Sequence, residues 1–108
     1  MLAGETSTET DEALLDRFQR GAFDYFQRWV NPENGLAADT SRDKSPSSIA
    51  VVGFALSCYP VAVERGWMTR EAAAARTLAS LDFFWNSPQS PEPDATGYKG
   101  FYYHFIDM

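Results

Sequence analysis

Carboxylates in two loop-like stretches are the side chains of this sequence that could act as general acids or bases. Asp39 and Asp43 lie in one polar stretch, Glu92 and Asp94 in a second, and Asp107 in an aromatic segment. Two carboxylates on either side of a glycosidic bond are the minimum for glycoside hydrolysis. The sequence does not give their separation. Taken alone, Asp39 and Asp43 are better explained as ordinary acids of a loop turn, and Asp107 as the end of a strand.

A second group of candidate residues is aromatic. Residues 97–108, GYKGFYYHFIDM, contain five aromatic side chains and the single histidine, His104. Flat apolar surfaces and polar tips are combined in Tyr98, Lys99, Tyr102 and His104, and this mixture suits a sugar, which has an apolar face and a hydroxyl edge. The competing interpretation is that these rings form a core strand and that His104 is a packed residue.

The composition argues against several other kinds of chemistry. The net charge of the 108 residues is −6 and no Lys/Arg cluster occurs, so nucleic acid is not an expected partner. One histidine and one cysteine cannot supply a metal site, and we predict no metal and no cofactor. Cys58 lies inside an apolar run and is interpreted as a small buried hydrophobe.

Neither a membrane span nor an export signal is predicted. The longest apolar run, Ile49 to Val63, has fifteen residues, fewer than the roughly 20 that cross a bilayer. The first ten residues, MLAGETSTET, have no basic region and no apolar region of the kind that signal peptides carry.

The elements that would position these side chains are mainly helices. Apolar spacing and capping residues predict helices at about 11–30, 48–65 and 70–86. Residues 1–10 are expected to be a disordered tail, and 11–108 to form one domain. Residues 31–47 and 87–97 form two long loops, and 100–108 is predicted as one strand with Phe101, Tyr103, Phe105 and Asp107 on the same face.

The first and third helices are amphipathic, whereas the second is apolar on nearly every side and should be buried, with a kink or break at Pro60. The predicted buried stripes are Leu15, Phe18, Ala22, Tyr25 or Phe26, and Trp29 in the first helix, and Ala74, Leu78, Leu81 and Trp85 in the third. In the second helix, Ile49, Val52, Leu56 and Val63 should be covered, whereas Val51, Phe54 and Ala55 should be exposed and promote self-association.

An outer helix, then an inner helix, then another outer helix is the order found in a double ring of helices. Because antiparallel neighbours place alternate connections at the same end, the two long loops should share one rim of that ring. Loops on a shared rim are where binding sites usually form.

Two long strings carry a resemblance to a known family. SSIAVVGFALSCYPVAVERGWMTREAAAARTL and DATGYKGFYYHFIDM, together with NPENGLAADTS, resemble the N-terminal part of the bacterial glucoamylase-like domain. That family includes endo-β-1,2-glucanases and domains of cyclic β-1,2-glucan synthases. The resemblance implies an all-α fold, the N-terminal part of an (α/α)6 barrel, in which this chain is about the first quarter and ends with half of a β-hairpin.

The resemblance also implies which residues line a glucan-binding cleft, without giving any of them a role as acid or base. The principal catalytic acids are expected on a later part of the domain, and so are absent here. In this sequence Thr40 stands where an arginine is usual and Ser90 where a glycine is common, so sugar contacts near these two positions are in doubt. The implied cleft residues are Asp39, Tyr98, Lys99, Gly100, His104 and Asp107.

Three functional hypotheses follow from these observations. The first is a fragment of a glycoside hydrolase for β-glucan, β-1,2-linked by resemblance, that is inactive alone and whose complete form is periplasmic or secreted. The second is a non-catalytic helical module that binds sugar or protein. The third is a remnant with no activity.

Overall fold

The computed structural model describes residues 8–108, and three helices provide most of its regular structure. Four strands of two residues each complete it. In chain order the elements are α1 (Asp11–Arg28), β1 (Ser47–Ser48), α2 (Ile49–Glu64), α3 (Arg70–Asn86), β2 (Gly97–Tyr98), β3 (Phe101–Tyr102) and β4 (Phe105–Ile106).

Hydroxyl side chains fix where each helix begins. Thr10, Ser48 and Thr69 each accept a hydrogen bond from the backbone N–H three residues further on, at 3.1–3.2 Å. Such caps are typically worth about 1 kcal/mol each. At the other end of α2, Gly66 adopts a φ of 76°, the left-handed conformation that favours glycine after a helix. The predicted helix boundaries are thus confirmed to within about two residues.

Most of the predicted tail 1–10 lies outside the described residues. Within the described part, Thr10 belongs to the cap of α1, and the Glu9 carboxylate accepts hydrogen bonds from the Arg17 guanidinium at 3.1 and 3.2 Å.

Helix α2 runs without interruption through Pro60, which lies on its exposed side. Its buried face is narrower than the predicted all-round burial, because it consists of Val52, Ala55, Tyr59 and Ala62. Phe54 is 65% exposed, as predicted. The predictions that Ala55 would be exposed and Ile49 covered are wrong, since Ala55 is 1% exposed and Ile49 is 37% exposed.

The predicted buried stripe of α1 is wrong at Leu15, Phe18 and Ala22, and Trp29 at its end is exposed as well. Leu15 is 66% exposed and Phe18 is similarly open, whereas Phe23, one position after the predicted stripe, is buried. The Phe23 ring stacks on Trp67, which follows α2, with 5.7 Å between the ring centroids. The C-terminal half of α1 therefore supplies its buried contact, while the N-terminal half meets the rest of the chain through the exposed ion pair of Asp16 with Arg65, 3.3 Å apart.

The predicted stripe of α3 is also on the open side of that helix. Leu78 and Leu81 are more than half exposed, and Trp85 is 88% exposed. The buried positions of α3 are Ala73 and Ser80. Small side chains let the helix approach its neighbours closely, and near its C-terminus Phe83 and Phe84 also pack against the cluster of Leu36, Val52 and Ile106.

The first long loop, 31–47, is packed into the core. Leu36 and Ala37 are completely buried, and Leu36 forms a core cluster with Val52 of α2 and Ile106 of β4. The loop docks on α3 through Ser80, whose hydroxyl donates to the carbonyl of Gly35 at 3.1 Å. The charged part of the loop, 39–44, remains at the surface, as do Pro32, Glu33 and Pro46.

The aromatic segment is not the single unpaired strand that its alternation predicts. Residues 97–102 form a tight hairpin of β2 and β3, and β4 pairs with β1 in antiparallel register. Lys99 and Gly100 form the hairpin turn with φ of 55° and 88°, as the common two-residue turn requires. The expectation of half a hairpin that lacks its partner is therefore wrong, because the chain supplies both partners itself.

Pairing of β1 with β4 also brings the two loop regions together. β1 closes the first long loop, and β4 follows the second, so both loop regions meet at the N-terminus of α2. There the N–H of Ile49 donates to the carbonyl of His104 at 2.9 Å. The predicted shared rim is thus present at this end of the helices.

Candidate functional site

A small sheet at the N-terminus of α2 positions two of the predicted carboxylates. Ala38 pairs with Ser47 on one side, and Ser47 pairs with Ile106 on the other, both in antiparallel sense. These three residues are buried and face the core. The next row of the sheet should face the opposite way, because side chains alternate along a strand.

That next row consists of Asp39, Pro46 and Asp107, and all three are exposed. The N–H of Asp39 donates to the carbonyl of Pro46 at 2.8 Å, and the β1–β4 register places Asp107 on the other side of Pro46. Two strand spacings separate the Cα atoms of Asp39 and Asp107, about 10 Å. Both carboxylates therefore lie on one solvent-facing side of the sheet, which we call the carboxylate row.

A cleft of about 510 Å³ adjoins one end of the carboxylate row. This volume is within the range of small-molecule sites. Two carboxylates, Asp94 and Asp107, line it together with the rings of Tyr103 and Phe105. The cleft thus combines apolar ring surfaces with hydrogen-bond acceptors, as a ligand with apolar faces and hydroxyl edges requires.

The hairpin tip lies apart from the lining of this cleft. Tyr98, Lys99 and Gly100 are exposed, and the Lys99 ammonium lies 5.3 Å from the centroid of the Tyr98 ring. The N–H of Gly100 donates to Oε1 of Gln89 at 2.9 Å, which ties the turn to the second long loop. The structure therefore does not group these three predicted residues with Asp107.

His104 serves the fold through its backbone. Its carbonyl accepts the hydrogen bond from Ile49 at the start of α2, while its exposed ring makes an edge contact with Phe105 at 4.5 Å between centroids. His104 is adjacent in sequence to the cleft residues Tyr103 and Phe105 but is not itself part of the lining.

The segment before Asp39 is held by α1. The Tyr25 hydroxyl donates a hydrogen bond to the carbonyl of Ala38. Burial raises the pKa of Tyr25, and the negative charge of Asp39 raises it further. Asp39 therefore lies near enough to the phenol to disfavour its ionisation, and Tyr25 remains a hydrogen-bond donor at neutral pH.

Sequence reasoning names Asp94 as a candidate acid but does not identify Tyr103 and Phe105 as cleft residues. Alternation along the chain places these two rings on the same predicted strand face as Asp107. That alternation was the available signal. It identifies residues on one face, but it cannot show that the second long loop folds back to form the opposite wall.

Within residues 8–108, no three His, Cys, Asp or Glu side chains converge in a way that could hold a metal ion. None of the described helices combines the length and hydropathy of a bilayer-spanning segment.

The sequence is similar to a characterised hydrolase. It is 29% identical over 107 residues to an exo β-1,2-glucooligosaccharide sophorohydrolase (non-reducing end) of Parabacteroides distasonis. The match covers 98% of this chain but 14% of that protein. No family model matches the chain.

Two solved structures share the fold. One is a candidate glucoamylase of Bacteroides uniformis, with a TM-score of 0.79 and 27% identity, in which the match covers 94% of this chain and 24% of the other. The second is a candidate glucoamylase of Bacteroides fragilis, with a TM-score of 0.74 and 24% identity, covering 99% and 25% respectively.

These matches confirm the predicted fold class, an all-α arrangement that forms part of an (α/α)6 barrel. The chain spans about a quarter of the length of the two solved structures and a smaller share of the sophorohydrolase. In sequence and in fold, the chain therefore corresponds to a segment of the bacterial glucoamylase-like proteins.

Proposed function

We propose that this chain forms one wall of a glucan-binding cleft in a glycoside hydrolase for β-1,2-linked glucan, and that it does not hydrolyse glucan alone. The observation that carries the proposal is the cleft in which Tyr103 and Phe105 lie beside the carboxylates of Asp94 and Asp107. The similarity to a sophorohydrolase for β-1,2-glucooligosaccharides supports the choice of ligand.

Each part of the cleft has a physical role in this proposal. The rings of Tyr103 and Phe105 offer apolar surface to the C–H face of a pyranose ring, while Asp94 and Asp107 accept hydrogen bonds from its hydroxyl groups. Asp39 extends the same acceptor surface along the carboxylate row. The resemblance also implies contacts from Tyr98, Lys99, Gly100 and His104, which would meet a longer glucan beyond the cleft.

Absence of hydrolysis by the chain alone is expected because hydrolysis needs one carboxyl group as acid and a second as base or nucleophile at a defined separation. Asp94 and Asp107 are exposed, so neither is held by surrounding protein in a fixed position. The remaining three quarters of the matched structures have no counterpart in this chain.

Titration of the purified chain with linear β-1,2-gluco-oligosaccharides, followed by ¹H–¹⁵N NMR, tests the binding proposal. Shifts should concentrate at 94–96 and 103–107, and Phe105→Ala and Asp107→Asn should each weaken binding several-fold. Phe101→Ala is the matched control, because Phe101 is an 80% exposed ring of the preceding strand β3 that does not line the cleft.

Two further measurements address linkage and chemistry. Cello-oligosaccharides of equal length should bind more weakly if the cleft selects β-1,2 linkages. Incubation with β-1,2-glucan should release no short products; sustained release that Asp107→Asn abolishes would contradict the proposed inactivity. Equal loss of binding in Phe101→Ala and Phe105→Ala would contradict the proposed cleft.

The exposed apolar faces favour a second function, protein binding without catalysis. Leu78, Leu81 and Trp85 form a continuous stripe on α3, and Phe54 adds an open ring on α2. Large exposed apolar surfaces mark interaction sites or association. We infer that the isolated chain associates with itself through these faces.

A further inference from the structure

We propose that Tyr25 is a positioning residue, which clamps the backbone immediately before Asp39 and so sets where that carboxylate stands on the ligand-facing side of the sheet. This inference rests on the proposed glucan site, to which Asp39 contributes through the carboxylate row.

The clamp uses both backbone polar groups of one residue. The N–H of Ala38 donates to the carbonyl of Trp29 at 2.9 Å, and the carbonyl of Ala38 accepts from the Tyr25 hydroxyl. Tyr25 lies on the last turn of α1 and Trp29 is its C-cap residue. Both hydrogen bonds of Ala38 therefore end on the same helix terminus, and Asp39 is the next residue along the chain.

The ring of Tyr25 is itself held from two sides. Phe26 meets it edge-on with centroids 5.5 Å apart, and Trp29 lies 6.4 Å away at a tilt. Because these neighbours restrict the ring, the hydroxyl is presented in a fixed place. Ala38 is buried, so its carbonyl cannot readily exchange the tyrosine for water.

The same peptide group is held at its other end. Its N–H, which belongs to Asp39, donates to the carbonyl of Pro46 at 2.8 Å, at the start of the central strand of the small sheet. The peptide group that leads into Asp39 thus connects two anchors, the end of α1 through its carbonyl and the sheet through its N–H. Loss of the Tyr25 hydroxyl removes one anchor and leaves the sheet pairing and the hydrophobic contacts of the ring in place.

The test compares Tyr25→Phe with Tyr59→Phe, which removes a buried tyrosine hydroxyl of α2 that is influenced by Arg76. Amide hydrogen exchange and glucan titration are measured for both. In Tyr25→Phe, exchange at Ala38 and Asp39 should quicken about tenfold, while Val52 and Ala55 of α2 remain unchanged. Affinity for β-1,2-gluco-oligosaccharides should fall several-fold, as in Asp39→Asn. Tyr59→Phe should show neither effect.

A third readout does not depend on a ligand. Asp39→Asn should lower the pKa of Tyr25, followed by NMR of the tyrosine Cζ, because it removes the neighbouring negative charge. Unchanged exchange at Ala38 and Asp39 in Tyr25→Phe would overturn the inference, and so would uniform acceleration across the whole chain. If the unaltered chain binds no glucan, the proposed function fails, while local exchange and the Tyr25 pKa still decide whether the clamp exists.

Discussion

Replacement of Gly35 by alanine tests whether the first long loop depends on its close contact with α3. Gly35 has a φ of 71°, which an alanine adopts only at a cost. A Cβ atom at this position would lie 2.2 Å from the Ser80 hydroxyl oxygen and 2.7 Å from the Ser80 backbone nitrogen. Neither distance is tolerated by real Cβ atoms, so the loop must move away from the helix.

Two contributions set the expected loss of stability. A left-handed conformation costs a non-glycine residue about 1–2 kcal/mol. Displacement of the loop weakens the Ser80–Gly35 hydrogen bond, which contributes about 1 kcal/mol. It also disturbs the packing of the fully buried Leu36. We therefore expect Gly35→Ala to reduce the free energy of unfolding by about 2–4 kcal/mol.

Urea unfolding followed by circular dichroism at 222 nm measures this change. Gly53→Ala is the matched control, because Gly53 lies inside α2 and a Cβ there would meet nothing within 4 Å. That substitution should raise stability by about 0.5–1 kcal/mol through the better helix propensity of alanine. The two alanine variants should thus change stability in opposite directions.

A double variant separates the two contacts. Ser80→Ala removes the hydroxyl but leaves the backbone nitrogen in place, so combining it with Gly35→Ala should recover only part of the loss. Stability of Gly35→Ala within about 0.5 kcal/mol of the unaltered chain, with slow exchange at Leu36 retained, would refute the proposed packing of the loop.

Three further predictions concern pH, association and capping. Burial raises the pKa of Tyr59 above its ordinary value of 10.0, although Arg76 opposes this effect. The stability that the buried neutral phenol contributes is therefore complete below about pH 10 and is lost as pH rises through the pKa of the folded state. Tyr59→Phe should make the fall in melting temperature between pH 9 and 11 shallower, and equal slopes would contradict this. Leu78→Glu with Trp85→Glu should shift the chain toward monomer in light scattering, and unchanged particle mass would argue against association through α3. Thr69→Ala should lower the free energy of unfolding by about 1 kcal/mol because α3 loses its N-cap, and a urea midpoint equal to that of the unaltered chain would exclude such a role.

Local sequence signals determined the helices. Capping by Thr10, Ser48 and Thr69 depends on a side chain and a backbone N–H three residues apart, and such a relation is visible in a sequence. The left-handed conformation of Gly66 after α2 is local in the same sense. The fold class also followed from the sequence. It depends on the order of the helices and on the lengths of the loops, and these remain correct even where individual side chains are assigned to the wrong face.

Which face of each helix is buried depended on the elements that pack against it. Leu78, Leu81 and Trp85 form a regular apolar stripe, yet α3 packs through Ala73 and Ser80. Periodicity identifies which residues share a face, but it does not say which face meets the rest of the chain. When a helix has small residues on one side and large ones on another, the distance to the neighbouring helix decides which of the two sides is buried.

The site was determined only in part by the sequence. Alternation along 101–107 placed Tyr103, Phe105 and Asp107 on one face, because adjacent residues of an extended chain point in opposite directions, and all three line the cleft. Phe101, assigned to the same face, does not line it. The turn at Lys99 and Gly100 reverses the chain direction. The pairing of Ser47 with Ile106 joins residues that are far apart in the sequence. Only the tertiary structure could therefore bring Asp39 and Asp107 into one row, since hydrogen bonds between distant segments, and not local preferences, set their register.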